Sequence, residues 1–270
     1  MGRTSIVGIP EVQRSLAEQA QTREPVSRAR DRLLREVLIV GVGYLVYSQV
    51  RGLAAERTLD AFRNAYRIID IERDLGIFKE LALQTLILSN SALVQVFNLI
   101  YFYGFFPLLL PTAAWLFVRH PSSYVLLRNA FLASGAIAVA FYLALPTAPP
   151  RLTDMGFVDT LSRSLTPTYQ SIPGVNHFAA LPSMHVGWSL LTALGLYVAL
   201  RGHRGRVVVW LLPIAMMTST VVTGNHYFID GLLGIAVALA GLGLALLADS
   251  RLSSRPLALP RSTATSARRR

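Results

Sequence analysis

Of the five histidines in 270 residues, two stand beside groups that could make them reactive. In TGNHYFID (223–230), His226 and Asp230 are four apart. On a helix they would share a face, and the carboxylate could accept the imidazole Nδ1 proton. Nε2 would then serve as nucleophile or base. The same pair would equally suit a structural hydrogen bond or half of a metal site. Ahead of it, Gly224 and Asn225 would let backbone N–H groups approach an anion at a helix amino terminus, where the macrodipole favours phosphate. The segment LPSMHVG (181–187) sets Pro182 and Ser183 before a helix with His185 in its first turn, Ser183 being a candidate N-cap. Alone, that is a capped helix with an interfacial histidine. Two imidazoles at one depth suit a double displacement on phosphorus. One attacks; the other protonates the departing alkoxide and later activates the acceptor. The equatorial oxygens then call for cations. Arg151, after Pro149-Pro150, is the best placed, and Arg163 is a weaker candidate. A guanidinium fork can grip two oxygens, although it can also snorkel to headgroups.

The elements that must position these groups read as membrane spans. The chain is 53% hydrophobic and 15% charged, with mean hydropathy +0.45, whereas soluble domains carry about 25% charged residues. Six apolar stretches approach the roughly 20 residues needed to cross a bilayer, near 33–50, 92–118, 129–146, 184–200, 207–222 and 226–248. Pro107 and Pro111 predict a kink in the second. With the amino terminus placed inside, segments 1–35, 119–128, 201–206 and 249–270 carry net charges of +3, +2, +3 and +5, while 51–80 and 147–182 each balance to zero. The net charge of +11 is thus a topology signal with both termini cytoplasmic, and points to anionic lipids rather than nucleic acid. All three polar motifs fall at the outer face. With no cysteine, thiolate chemistry is excluded and any catalyst is oxygen or nitrogen based.

The expected fold class is all-α: a six-transmembrane-helix bundle with an outer-face amphipathic helix between the first two spans. In residues 51–80, Leu59, Phe62, Tyr66, Ile69 and Arg73 recur at three-to-four spacing, which predicts that helix. Residues 81–90 are too short to cross and read as interfacial or re-entrant. The domain reading is a largely disordered cytoplasmic segment over 1–32, without a secretory signal, a membrane domain over 33–250 and a basic cytoplasmic tail over 251–270. Asn176 and His177 could line an entry or simply be solvated. Glu72, Glu80 and Gln84 could cap the site or bond one another. The YFYGFF run (101–106) is mid-span and reads as lipid-facing or core.

In PPRL, ALPSMHVGWS and TGNHYFIDGLLG the chain resembles the type 2 phosphatidic acid phosphatase superfamily, and within it the inositol phosphorylceramide synthase-like (inositolphosphotransferase) branch. The resemblance covers the last five spans. It implies that His226 is the nucleophile, that Asp230 orients it and that His185 is the general acid. Two departures stand out. The superfamily's first motif, a lysine followed seven residues on by arginine-proline, is absent, Lys79 being the only lysine. The serine-arginine that usually opens the later motif reads Ser219-Thr220, so one phosphate-gripping arginine is missing. Arg151 in PPRL resembles the reduced first motif of the synthase-like branch.

These features lead to the expectation of a multi-pass plasma-membrane lipid phosphatase or phosphotransferase. It would act on a lipid-linked phosphate ester at the outer face through a phosphohistidine, with His226, His185 and Asp230 catalytic and Arg151, Ser183, Gly224 and Asn225 binding substrate. Its partners would be the lipid phosphate, membrane lipids and an alcohol or polyol acceptor. No metal or other cofactor is required by that scheme. Two alternatives remain at this level: a non-catalytic lipid-binding or transport protein, and a metal hydrolase ligated by His185, His226 and Asp230.

Overall fold

The structure, a computed structural model, describes residues 26–53, 57–104, 106–161 and 178–253. The readings placed on 1–25, on Arg163, Asn176 and His177, and on most of the basic tail lie outside the described residues. The described residues are helical, with no strand and one isolated parallel bridge between Thr147 and Ala179. The chain divides into two compact units, Met1–Val46 and Tyr47–Arg270. In the first, the described residues belong to helix α1 (Val26–Leu53), whose Leu33, Leu34, Val37, Leu38 and Leu45 are exposed, as side chains in contact with lipid tails would be.

In the second unit, α2 (Thr58–Asp74) and α3 (Glu80–Leu88) precede a long apolar segment formed by α4 (Ser91–Tyr103) and α5 (Phe106–Arg119). Asn90 caps α4, its side chain accepting from the N–H groups of Ala92 and Leu93 at 3.1 and 3.2 Å. The expected kink is a break. A proline at 107 cannot bond the carbonyl of Tyr103 and its ring crowds that carbonyl, and Tyr103 is where α4 stops. Pro111 stays inside α5. Then come α6 (Pro121–Ala144), a 3-10 turn (Pro150–Leu152), α7 (Met184–Ala199), a second 3-10 turn (Arg204–Trp210), α8 (Leu211–Val222) and α9 (Phe228–Ser253).

Among the described residues, five helical segments are long and apolar enough to cross a membrane: Arg30–Val50, Ser91–Arg119, Pro121–Ala144, Arg204–Val222 and Phe228–Ser250. The segment expected as a span at 184–200 is shorter. Its 16 residues rise about 24 Å against a hydrocarbon core of about 30 Å. Pro182 has no N–H to give, that of Ser183 is bonded to the carbonyl of Asp230 at 2.8 Å, and the first helical bond runs from Gly187 N–H to the carbonyl of Ser183 at 3.1 Å.

α9 packs against both α6 and α7. Small residues make this contact close, as expected where lipid supplies no hydrophobic drive and packing must hold helices together. Ala130, Ser134 and Ala138 are buried on α6, Val237 and Ala238 on α9. Where α7 crosses α9 two glycines meet. A Cβ on Gly187 would overlap the carbonyl oxygen of Gly234, and one on Gly234 would overlap that of Ser183.

The buried face of α2 only partly matches the one its apolar spacing predicts: Ile69 is buried, and Phe62 and Tyr66 pack against the core from its edge. Ala61, Ala65, Ile68, Ile69 and Glu72 face inward, while Leu59 is 82% exposed. Ala61 and Ala65 let the backbone come close enough for the carbonyl of Ala61 to accept the N–H of Ala148 at 3.1 Å, and Asn64 Nδ2 donates to the carbonyl of Pro146 at 2.9 Å. Backbone approach, rather than bulk, selects the face. In α3, Glu80, Gln84 and Ile87 form the buried stripe.

Replacing Gly234 by Ala is expected to lower stability by about 1–3 kcal/mol through overpacking. Gly243→Ala, whose Cβ would meet nothing within 4 Å, should be neutral or stabilising. Thermal unfolding of the two variants in the same detergent measures the difference, and equal midpoints would show that the α7–α9 crossing is not tight.

Candidate functional site

The three polar motifs come together where α6 ends, α7 begins, α8 ends and α9 begins. Two backbone bonds tie the ends together, from Arg151 N–H to the carbonyl of Gly224 at 2.8 Å and from Ser183 N–H to that of Asp230. Near this junction the Thr147–Ala179 bridge is made by Thr147 N–H to Phe178 O at 2.7 Å and Ala180 N–H to Thr147 O at 3.2 Å.

After α8 the chain reverses through Gly224, whose φ of +70° lies in the left-handed region that favours glycine. A side chain there would also press on Gln84 Nε2 and Arg151 Cβ, at 3.0 and 3.3 Å from its Cβ. The turn consumes its own donors. Gly224 N–H bonds to Val221 O at 2.9 Å, and those of Asn225 and His226 both bond to Thr220 O, at 2.9 and 3.1 Å. Asn225 Nδ2 donates to Thr223 Oγ1 at 2.7 Å. The anion cradle expected from the backbone of Gly224 and Asn225 is therefore already engaged in holding the turn, and these residues shape the site rather than offer donors to it.

His226 lies just before α9 rather than on it. Its pairing with Asp230 comes from the carboxylate reaching back over the helix start. Asp230 Oδ2 accepts Tyr227 N–H at 2.9 Å and lies 3.4 Å from His226 Nδ1. The nearer acceptor at Nδ1 is the carbonyl of Ala180, at 2.9 Å. A carbonyl can only accept, so neutral His226 carries its proton on Nδ1 and its lone pair on Nε2. The first N–H groups of α9 are also taken. Phe228 N–H donates to Glu80 Oε1 at 3.0 Å and Ile229 N–H to Glu72 Oε1 at 2.8 Å. The expected phosphate position at this terminus is filled by carboxyl oxygens.

The His185 and His226 rings are 5.9 Å apart between centroids. Tyr101 of α4 lies against the His185 ring at 4.7 Å and 31°. Ser183 occupies the N-cap position of α7, yet it makes no side-chain capping bond. Its Oγ is buried without a hydrogen-bond partner. Among the described residues Arg151, with a side chain 4% exposed, makes a long approach from Nε to Asp159 Oδ1 at 3.8 Å. Its Nε and Nη1 are buried donors with no hydrogen bond. Buried donors of this kind cost about 1–3 kcal/mol when left unpaired, more when charged. They are donors that an oxyanion would satisfy. At the position where the motif usually carries arginine, Thr220 is fully buried and donates from Oγ1 to Met217 O at 2.9 Å.

Tyr101, Glu72, Glu80 and the carbonyl of Ala180 thus join the residues singled out by motif. Buried Asn98, three residues before Tyr101, marks the same face of α4 and was the available sequence signal for it. Among the described residues, no group of three or more His, Asp or Glu side chains is placed to hold a metal ion.

Fold and site together define an all-helical, multi-pass membrane protein with a histidine pair and a buried carboxylate at one end of its helices. A family model described as PAP2 superfamily matches residues 66–244, a range that holds every site residue named above, and the chain belongs to that superfamily. Membership points to a membrane enzyme of the phosphatase type acting on lipid phosphates. No curated protein sequence and no solved structure matches the chain.

Because Ser183 Oγ makes no hydrogen bond, Ser183→Ala should leave the thermal midpoint unchanged or raised while raising KM for a phosphate ester. Unfolding and steady-state kinetics on the same preparation check both. A lowered midpoint would make the hydroxyl a structural group.

Proposed function

We propose that the protein is an integral membrane lipid phosphatase or phosphotransferase that works through a phosphohistidine at His226. The observation that carries this reading is the environment of the His226 ring. Nδ1 is bracketed by the Ala180 carbonyl and Asp230, which leaves the lone pair on Nε2, and the ring centroid lies 5.9 Å from that of a second imidazole. In the first step Nε2 attacks phosphorus. An N–P bond forms, the P–O bond to the leaving group breaks, and His185 gives its proton to the departing oxygen. The Ala180 carbonyl and Asp230 hold the Nδ1 proton while positive charge develops on the ring. In the second step His185 takes a proton from water or an alcohol, whose oxygen attacks phosphorus and breaks the N–P bond. With water the enzyme is a phosphatase; with a lipid or polyol hydroxyl it is a phosphotransferase. Arg151 in PPRL favours the inositolphosphotransferase-like branch.

The unpaired donors of Arg151 and Ser183 support this assignment, since they supply a charge-assisted fork and a hydroxyl for the equatorial oxygens. They stand in for the arginine that Thr220 replaces. The proposed topology has six spans, the sixth being the short α7, with both termini cytoplasmic and the site at the outer face of the plasma membrane.

His226→Ala should lower kcat at least ~1,000-fold and Asp230→Asn at least ~100-fold, with membrane insertion intact. Incubation with a 32P-labelled lipid phosphate should leave acid-labile, base-stable label on the wild-type chain and none on His226→Ala. A panel of lipid phosphates with and without inositol separates hydrolysis from transfer. A folded chain that neither turns over nor acquires label would instead be a lipid-binding or transport protein on the same fold.

A further inference from the structure

Two carboxyl groups outside the histidine site hold the helix on which Asp230 rides. Glu72 closes α2 and Glu80 opens α3, and both are fully buried. Each gives one oxygen to α9. Glu72 Oε1 accepts Ile229 N–H at 2.8 Å and Glu80 Oε1 accepts Phe228 N–H at 3.0 Å, while Asp230 Oδ2 accepts Tyr227 N–H at 2.9 Å. Three consecutive backbone donors at the start of one helix therefore meet three carboxyl oxygens. The other oxygens, Glu72 Oε2 and Glu80 Oε2, are buried and receive no hydrogen bond from another residue. Because the N–H groups they accept belong to adjacent residues, Phe228 and Ile229, the two carboxyl groups are neighbours. Two ionised carboxylates so placed would repel at short range, away from water. One proton between them removes the repulsion and satisfies both outer oxygens, as one Oε2–H donates to the other Oε2.

Resting on the phosphohistidine reading above, we propose that Glu72 and Glu80 act as one proton-sharing clamp that positions His226 and Asp230 by holding the first N–H groups of α9 from outside that helix. These are positioning residues, since neither touches the reacting atoms. The charges acting on Glu72 are those of Glu80 from α3 and Asp230 from α9. Tyr227, whose hydroxyl is buried without a partner, feels Asp230, Glu72, Glu80 and Tyr66. Burial first, and the hydrogen bond to Glu80 next, push Glu72 up to about 9 from its ordinary 4.5. The clamp is thus closed at neutral pH. Its pH dependence follows from linkage. Above about 4.5 the unfolded chain releases a proton that the folded chain keeps, so the stability present below that pH declines as pH rises toward about 9. Above about 9 the shared proton leaves and the clamp opens.

A neutral glutamine can replace the protonated partner, accepting from Ile229 N–H and donating to Glu80, whereas alanine cannot. The test uses the purified full-length chain in detergent, as wild type, Glu72→Gln, Glu80→Gln and Glu72→Ala. Difference infrared spectra should show a protonated-carboxyl C=O stretch in the wild type at pH 7 that titrates away near pH 9 and is missing in both Gln variants. Thermal midpoints should fall between about pH 5 and pH 9 in the wild type and be flatter in Glu72→Gln. With a lipid phosphate as probe, Glu72→Gln should keep kcat within ~3-fold at pH 7 and extend activity to higher pH. Glu72→Ala should lose kcat by ~100-fold with KM little changed, the scale of a 1 Å misplacement. A carboxyl band that persists in both Gln variants, midpoints with the same pH slope, or full kcat in Glu72→Ala overturns the clamp. If no variant, wild type included, turns over any lipid phosphate, the proposed enzymatic function fails. The infrared and unfolding results then still decide whether the shared proton exists.

Discussion

The hydrogen bond from His226 Nδ1 to the carbonyl of Ala180 sets the chemistry of the whole site. It determines which ring nitrogen carries the lone pair, and it binds the turn before α9 to the strand-like segment before α7. Asp230, 3.4 Å from the same nitrogen, adds a negative charge on the side where the ring would become positive. A histidine held by a carboxylate alone could exchange tautomers if the carboxylate took the proton. One that also faces a backbone carbonyl cannot, because that oxygen has no proton to return. The lone pair on Nε2, which the proposed reaction would use, is thus set by main-chain geometry.

That geometry requires helix ends to meet closely in an environment where an unpaired polar group is expensive. Gly187 and Gly234 let α7 and α9 cross backbone on backbone, which brings Ser183 N–H to the carbonyl of Asp230. α2 comes in on its alanine face and delivers Glu72, and α3 delivers Glu80, so the donors at the start of α9 are met by side chains from other helices. At the start of α7 the opposite holds. Ser183 does not cap it, and Arg151 lies buried with donors to spare. One helix start is closed by carboxyl groups and the other is left for an anion. The contrast gives the site its polarity, with acids beneath His226 and donors where a phosphate would sit.

The convergence of the segments that hold His185, His226, Asp230, Arg151 and Ser183 was legible in the sequence because each lies in a short polar motif at the end of an apolar run. The long apolar runs gave the helices. What the sequence hid acts across long separations or through the backbone. Glu72 and Glu80 stood out in the sequence only as groups that could cap the site or bond one another; their partners on α9, 157 and 148 residues away, were not legible. The Ala180 carbonyl is invisible because every residue has one. Of the apolar stripe expected on α2, Ile69 is buried and Phe62 and Tyr66 pack against the core, but Leu59 is exposed and Ala61 and Ala65 lie at the centre of the contact, because hydropathy ranks bulk whereas the packing was decided by how near a backbone could come. The phosphate cradle expected at Gly224 and Asn225 failed for a related reason: a left-handed turn after a helix uses its N–H groups to satisfy that helix's own carbonyls.

The tautomer of His226 can be observed directly. In ring-15N-labelled protein, with its signals assigned by their loss in His226→Asn, neutral His226 should show a protonated Nδ1 and an unprotonated, pyridine-type Nε2. Proton attachment at Nε2 instead would put the lone pair against the Ala180 carbonyl and contradict the proposed nucleophile.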